Sequence, residues 1–511
     1  MTGNLADVFV AATPHASWLT ILPVVLMLMG GALLAVIRRR IDWHPPIAVA
    51  ALALLVVLDA LLLYHVATTG PLTMVMGRWL PPFGIAFTVD VAGALLALSS
   101  ALVALATAIH ARADIDANRR RYGFYPFLLF LMAGVSGAFL TGDVFNLYVW
   151  FEVLLISSFG LLVLGGEREQ IDGATKYGLL NLVGTTLFLI ATGYLYAIFG
   201  TLNMADIATR VAAGGDALPL VTLATLYLSA FAMKAAAFPV NSWLPASYHT
   251  PAISVSAVFA GLLTKVGVYA MIRVLVMLLP EQGDRLGLVI SVLAVLTMLT
   301  GAIAAIGTSD IRRLLGHWVI TGIGVILAGL ALSGRDALAA ALFYMLHSMV
   351  VMAALYFLFG LIGRATGSFD LNRLGGLHAS RPLLSAVALV LLLAVSGLPP
   401  FSGFWPKAIL VREALDARAW WLAGAILLSG FLITFAAGRT FLLAFWRPSA
   451  QPLPAPVRLP ADQIGVVAAL AMASLLAGLW PEPVAALALQ AADGLLAPDA
   501  YIRSVFPEAG P

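Results

Sequence analysis

Apolar residues run along this chain in blocks of about twenty, separated by short polar or Gly/Pro-marked connectors. The hydrocarbon core of a bilayer takes ~20 apolar residues of helix. On that measure the first six predicted crossings lie at about 18–37, 47–66, 85–109, 123–141, 144–164 and 177–199. The rest lie at about 217–246, 252–279, 285–307, 311–332, 336–363, 383–416, 419–446 and 461–480. The pattern predicts an all-α polytopic membrane protein with about 14 transmembrane helices. After the sixth crossing, TLNMADIATRVAAGG reads as an amphipathic helix on the membrane surface, and the tail from Pro481 is short and partly amphipathic.

Crossings 7 and 12 are interrupted by proline, which removes a backbone donor and opens a helix. PVNSWLP (Pro239 to Pro245) is similar to PFSGFWP (Pro400 to Pro406), and each lies near a lysine, Lys234 before the first break and Lys407 after the second. The breaks stand five crossings apart. An odd offset inverts one copy relative to the membrane, the layout of many transporters.

Composition narrows the class. Hydrophobic residues make up 62% and charged residues 10% of the chain, against about a quarter charged in soluble domains. No cysteine is present, which excludes disulfides, thiolate metal sites and thiol nucleophiles. The pI near 9.1 reflects loop arginines and calls for no nucleic-acid partner. MTGNLADVFVAATPHAS lacks a basic region and the first apolar run is followed by Arg38, Arg39 and Arg40, so a retained first helix is expected. Loops after odd-numbered crossings hold sixteen Lys or Arg, and the opposite loops hold seven. The positive-inside rule then places both termini outside.

Three of the four lysines fall inside crossings. Lysine can lose its proton when desolvated, whereas arginine effectively cannot. Lys234, Lys265, His347 and Lys407 could form a row of titratable groups, and Glu152, alone in its own crossing, could pair with Lys234. The bland alternatives are a structural ion pair for Glu152, snorkelling lysines, and a helix-contact role for His347. Intramembrane charge is costly enough to favour function. Pro239, His249, Pro251, Pro399 and Pro400 mark the breaks and candidate gates, with capping an equal alternative for His249-Thr250-Pro251. Asp59 and Asp90 lack an evident partner, Asp143 reads as an N-cap, and His317 as interfacial. No phosphate loop, HExxH or G-x-S-x-G occurs, so no cofactor, metal or catalytic site is expected.

Three stretches carry a resemblance: TGDVFNLYVWFEVLLISSFGLLVL, AMKAAAFPVNSWLPASYHTPAISVSAVFAGLLTKVGVYAMIR and SGLPPFSGFWPK. They resemble the antiporter-like proton-translocating subunits shared by respiratory complex I and Mrp-type antiporters. TGDVFNLYVWFE and LNLVGTTLF…GTLNMADIA are most similar to the D-type subunits of the Mrp (Mnh, Pha) branch. The resemblance implies two inverted five-helix repeats, with residues 1–122 before them, 123–279 and 285–446 as the repeats, and 447–511 after them. It implies a proton path through Glu152, Lys234, Lys265, His347 and Lys407. Two departures thin the middle of that path: Met352 stands where many relatives carry lysine, and the tenth crossing begins HWVITGIG. The expected function is a proton-translocating subunit of a multisubunit Na+ or K+/H+ antiporter in a bacterial inner membrane. Its partners would be other subunits, lipid, protons and Na+ or K+. The competing readings are a pump subunit of complex I or a membrane-bound hydrogenase, an assembly scaffold with a silent channel, and an autonomous small-solute transporter.

Overall fold

The computed structural model describes residues 13–214, 219–448 and 458–506. The chain ends, whose side of the membrane the arginine count predicts, lie outside the described residues. The first block runs α1 (Leu22–Val36), α2 (His44–Thr69), β1 (Leu72–Val75), β2 (Ala86–Val89), α3 (Val91–Asp114) and α4 (Ala117–Arg121). It continues through α5 (Phe124–Leu140), α6 (Val144–Val163), α7 (Arg168–Phe199), α8 (Met204–Ala213), α9 (Leu220–Ala235), α10 (Trp243–Tyr248) and α11 (Ile253–Ile272). Then come α12 (Pro280–Arg285), α13 (Gly287–Gly307), α14 (Ile311–Leu332), α15 (Arg335–Thr366), α16 (Leu377–Ser380), α17 (Pro382–Ser396) and α18 (Phe404–Asp416). The chain closes with α19 (Trp420–Phe441), α20 (Ala461–Leu479), α21 (Glu482–Leu496) and α22 (Asp499–Val505).

Among the described residues ten helices are long and apolar enough to cross a membrane, and α1, α5, α9 and α17 are shorter apolar helices. This is a multi-pass membrane protein. Burial sorts the helices: the most apolar window of the α11 helix is wholly enclosed, against a third of that of α2. α11, α14 and α15 therefore form the interior, and α2 lies at the rim.

The all-α expectation needs one correction, a hairpin in which β1 and β2 pair antiparallel with Leu72 opposite Val89 and Val75 opposite Ala86. Its strands are too short to register as an apolar block, and they read as loop for that reason. Thr73 bonds Ser504 of α22 at 2.9 Å, and Phe87 bridges Thr141. That end of the bundle also gathers α8 and the Arg335–Asp493 pair. The opposite end ties Arg119 to Glu167, Asp114 to Ser254 and Arg364 to Gln463.

Two stretches of the chain share local devices. Asp143 caps α6 and Asp310 caps α14, each accepting a backbone N–H three residues on. Asp143 bridges Asn203, and Asp310 bridges Asp370. Val144 N donates to Leu202 O and Met204 N to Gly142 O; Ile311 N donates to Phe369 O and Leu371 N to Ser309 O. α11 and α19 both end in a π-helical turn, Arg273–Leu278 and Leu442–Trp446.

Candidate functional site

Lys234 occupies the last turn of α9. The helix stops at Ala236, which takes the left-handed conformation (φ 58°). Phe238 N bonds Thr297 at 3.0 Å and Asn241 bonds Thr300 at 2.9 Å, so α13 pins the linker holding Pro239. Trp243, from the far side of the break, donates to Met233 O at 3.2 Å. The Lys234 ammonium is buried without a hydrogen-bond partner and lies 5.4 Å from the Phe151 ring centre. Glu152, next on α6, is half-buried and near enough to act on Lys234 electrostatically, but the two are not bonded. Gly267 of α11 makes room for this lysine, since a Cβ there would stand 3.1 Å from Lys234 Cβ.

Lys265, on α11, is fully enclosed and donates to Ala260 O at 2.6 Å. His347, on α15, bonds Ser402 through Nδ1 at 2.7 Å, and Ser402 bonds Ser474 of α20 at 2.8 Å. Tyr344, one turn before His347, has its ring 5.3 Å from the imidazole and 5.9 Å from the Lys407 ammonium. Lys407 donates to Ser396 O at 3.0 Å and to Val395 O at 3.4 Å. Lys265 and Lys407 both lie near enough to His347 to act on it electrostatically. The structure thus gathers His347, Lys407, Tyr344 and Ser402 into one cluster, brings Lys265 near it, and sets Lys234 with Glu152 apart. Met352 is buried in α15. Sequence reasoning missed Ser402 and Tyr344, although Ser402 lies inside the quoted PFSGFWP and Tyr344 stands three residues before His347.

The turn from α10 to α11 holds Pro251 and His249. Arg313 donates to His249 Nε2 at 3.1 Å, which leaves Nδ1–H to donate to Pro245 O at 2.8 Å. Burial first, and the Arg313 guanidinium second, hold this imidazole below its usual range. His249 therefore does not cap the next helix. That role falls to Asp114 of α3, whose carboxylate accepts from Ser254 N and Oγ at 2.9 and 2.8 Å. A cavity of about 700 Å³ opens here, lined by Arg168, Asp172, Lys176, His249, Arg313 and half-buried His317 among others. Pro399 and Pro400 lie in the second linker, between α17 and α18.

Asp90, which caps α3 by accepting from Gly93 N at 2.9 Å, also finds Arg273 at 2.6 Å, and both are buried. Arg273 also donates to the Tyr269 hydroxyl at 2.9 Å and lies 5.3 Å from the Tyr501 ring. Removing one partner of such a buried pair strands a charge and costs ~3–5 kcal/mol. Asp143 caps α6 as the sequence suggests.

A membrane bundle with two proline-broken helices, one beside the buried Lys234 and the other beside the half-buried Lys407, defines an antiporter-like transmembrane subunit. Residues 141–434 match the family described as NADH:quinone oxidoreductase/Mrp antiporter, TM, and the chain belongs to that family. It is 34% identical over 490 residues to the D-type subunit of the Na(+)/H(+) antiporter of Alkalihalophilus pseudofirmus, covering 96% of this chain and 99% of that one. Against the corresponding D-type subunit of the Na(+)/H(+) antiporter of Bacillus subtilis it is 35% identical over 489 residues, again covering 96% and 99%. It superposes on a chain of the Mrp complex from a Dietzia species with a TM-score of 0.89 and 29% identity, covering 96% of this chain and 100% of that one. For a chain of respiratory complex I from Thermus thermophilus the TM-score is 0.80 and the identity 27%, covering 93% and 99%.

Proposed function

We propose that this protein is the proton-translocating, D-type subunit of a multisubunit monovalent cation (Na+ or K+)/H+ antiporter. The relatives named above, matched over nearly their whole length, support the class and imply partner subunits. One observation carries the mechanism: the buried, unpartnered ammonium of Lys234 beside half-buried Glu152. An amine with no bond to hold it exchanges a proton when a nearby carboxylate approaches or withdraws. Protons then pass along Lys265, His347 and Lys407, with Tyr344 and Ser402 as polar company. Cation exchange in the assembly is coupled to this movement, and each charge crossing exchanges ~2.3 kcal/mol per 100 mV with the membrane potential. The helix breaks at Pro239 and Pro399-Pro400, with His249 and Pro251, gate the two ends.

The same reading takes the ten long and four shorter apolar helices as fourteen crossings, in a bacterial inner membrane with both termini outside. Residues 123–279 and 285–446 form two inverted repeats, flanked by 1–122 and 447–511. The matched caps, bridges, π-helical turns and breaks support that division, because unrelated segments have no reason to share four local devices in one order. Lys234→Ala and Glu152→Ala are expected to abolish antiport in membrane vesicles while the complex assembles. Full antiport in both variants rejects the reading.

A further inference from the structure

Asp59 stands in the middle of α2, on the buried stripe of Ala48, Leu52, Leu55, Leu62 and Val66, and has no exposed surface. Both carboxyl oxygens are buried, and neither has a hydrogen-bond partner. The surrounding helices supply no counter-charge. α2 packs on α1, α3 and α5 and meets the short helical turns His15–Thr20 and Ile41–Trp43, whose His15 and Asp42 are exposed; α1 and α5 carry no charged residue, and Tyr125 stands at the start of α5. On α3 the charged and titratable groups, Asp90, His110, Arg112 and Asp114, sit at the two ends. On α2 itself, Tyr64 is exposed and His65 half-buried, while His44 stands at the far end, ~22 Å away at 1.5 Å per residue.

An ionised carboxylate here would lose its hydration with nothing in exchange, which costs far more than burying the neutral acid. A metal cation would need a cage of oxygens. Among the described residues there is no cluster of three or more His, Cys, Asp or Glu to build one. The remaining ligand is a proton. We propose that Asp59 is a proton-binding site separate from the lysine row, a carboxylic acid held neutral among α1, α2, α3 and α5. None of those helices carries a row residue, so this proton is bound apart from the proposed path. The contrast with Asp90 is direct: one carboxylate of the first block meets an arginine, and the other meets only hydrocarbon.

The test uses the assembled complex in liposomes, with isotope-labelled aspartate, and compares infrared spectra of wild type and Asp59→Asn at neutral pH. The expected difference is the carbonyl stretch of a single protonated acid, sensitive to deuterium exchange. Loss of a carboxylate stretch pair in its place overturns the proposal. As a second measurement, Asp59→Asn copies the shape of the neutral acid and is expected to assemble at wild-type yield. A failure of Asp59→Asn to assemble overturns the proposal as well, since it means that a negative charge is needed. Neither readout uses antiport, so the result is independent of the role of Lys234.

Discussion

The two helix breaks use nearly the same peptide for different ends. At the first, Lys234 precedes the break, and side chains on a helix tilt toward its N-terminus. Its ammonium therefore points away from the carbonyls that the break frees, and it stays unbonded beside Phe151. At the second, Lys407 follows the break and reaches back across it to the last two carbonyls of α17. That is the negative end of a helix dipole, where a cation is stabilised. The chain turns also differ. The first is made by Ala236 at φ 58°, the second by Gly397 at φ 80°, and the Lys407 stem lies over that glycine, so that a Cβ would stand 2.7 Å from Lys407 Cδ. One amine is left unbonded and the other is tied to carbonyls. A lysine's place relative to the break, before or after it, decides which.

The largest effect is expected from Gly478→Ala on α20, because a Cβ there would lie 2.2 Å from Pro400 O and 2.5 Å from Phe401 C. Backbone cannot yield as a side chain can, so the second break should lose its seat at a cost of ~3 kcal/mol or more, read as a lower unfolding temperature of the complex. Next comes a pair of substitutions at matching positions. Gly397→Ala should push Lys407 off its carbonyls and lower antiport by about ten- to a hundredfold, the equivalent of one hydrogen bond to a charged group at ~1.5–3 kcal/mol. Ala236→Gly should leave antiport intact and relieve a left-handed alanine. Equal loss in both would dissolve the distinction between the breaks.

Ser402→Ala takes away the hydroxyl bonded to His347 Nδ1. Leaving a buried ring nitrogen unsatisfied costs ~1–3 kcal/mol, which thermal unfolding of the variant should register, with no counterpart at the first break. The last effect concerns one helix cap and is read as a pH slope. Burial raises the Asp143 carboxyl from 3.8 to about 6 against the backbone N–H bonds from Asn146 and Phe145 that lower it. A carboxyl raised on folding favours the folded state most at low pH. Stability from this group is present below about pH 4, falls as pH rises toward 6, and is level above that. Asp143→Asn should flatten that slope in unfolding scans taken across the range.

Much of this molecule can be read along the chain. Hydropathy alone locates the apolar helices, and PVNSWLP and PFSGFWP locate the breaks, because proline and helix length act within a few residues. The cost of a charge in hydrocarbon singles out Glu152, Lys234, Lys265 and Lys407 before any neighbour is known. What those groups touch was settled only by packing. Arg273 meets Asp90 across 183 positions, Ser254 is capped by Asp114 across 140, and His347 meets Ser402 across 55. The β1–β2 hairpin and the choice of Asp114 over His249 as a cap have the same origin. Spacing along a sequence reports the forces within one helix, whereas the partner of a buried polar group is whichever distant helix the packed bundle brings against it.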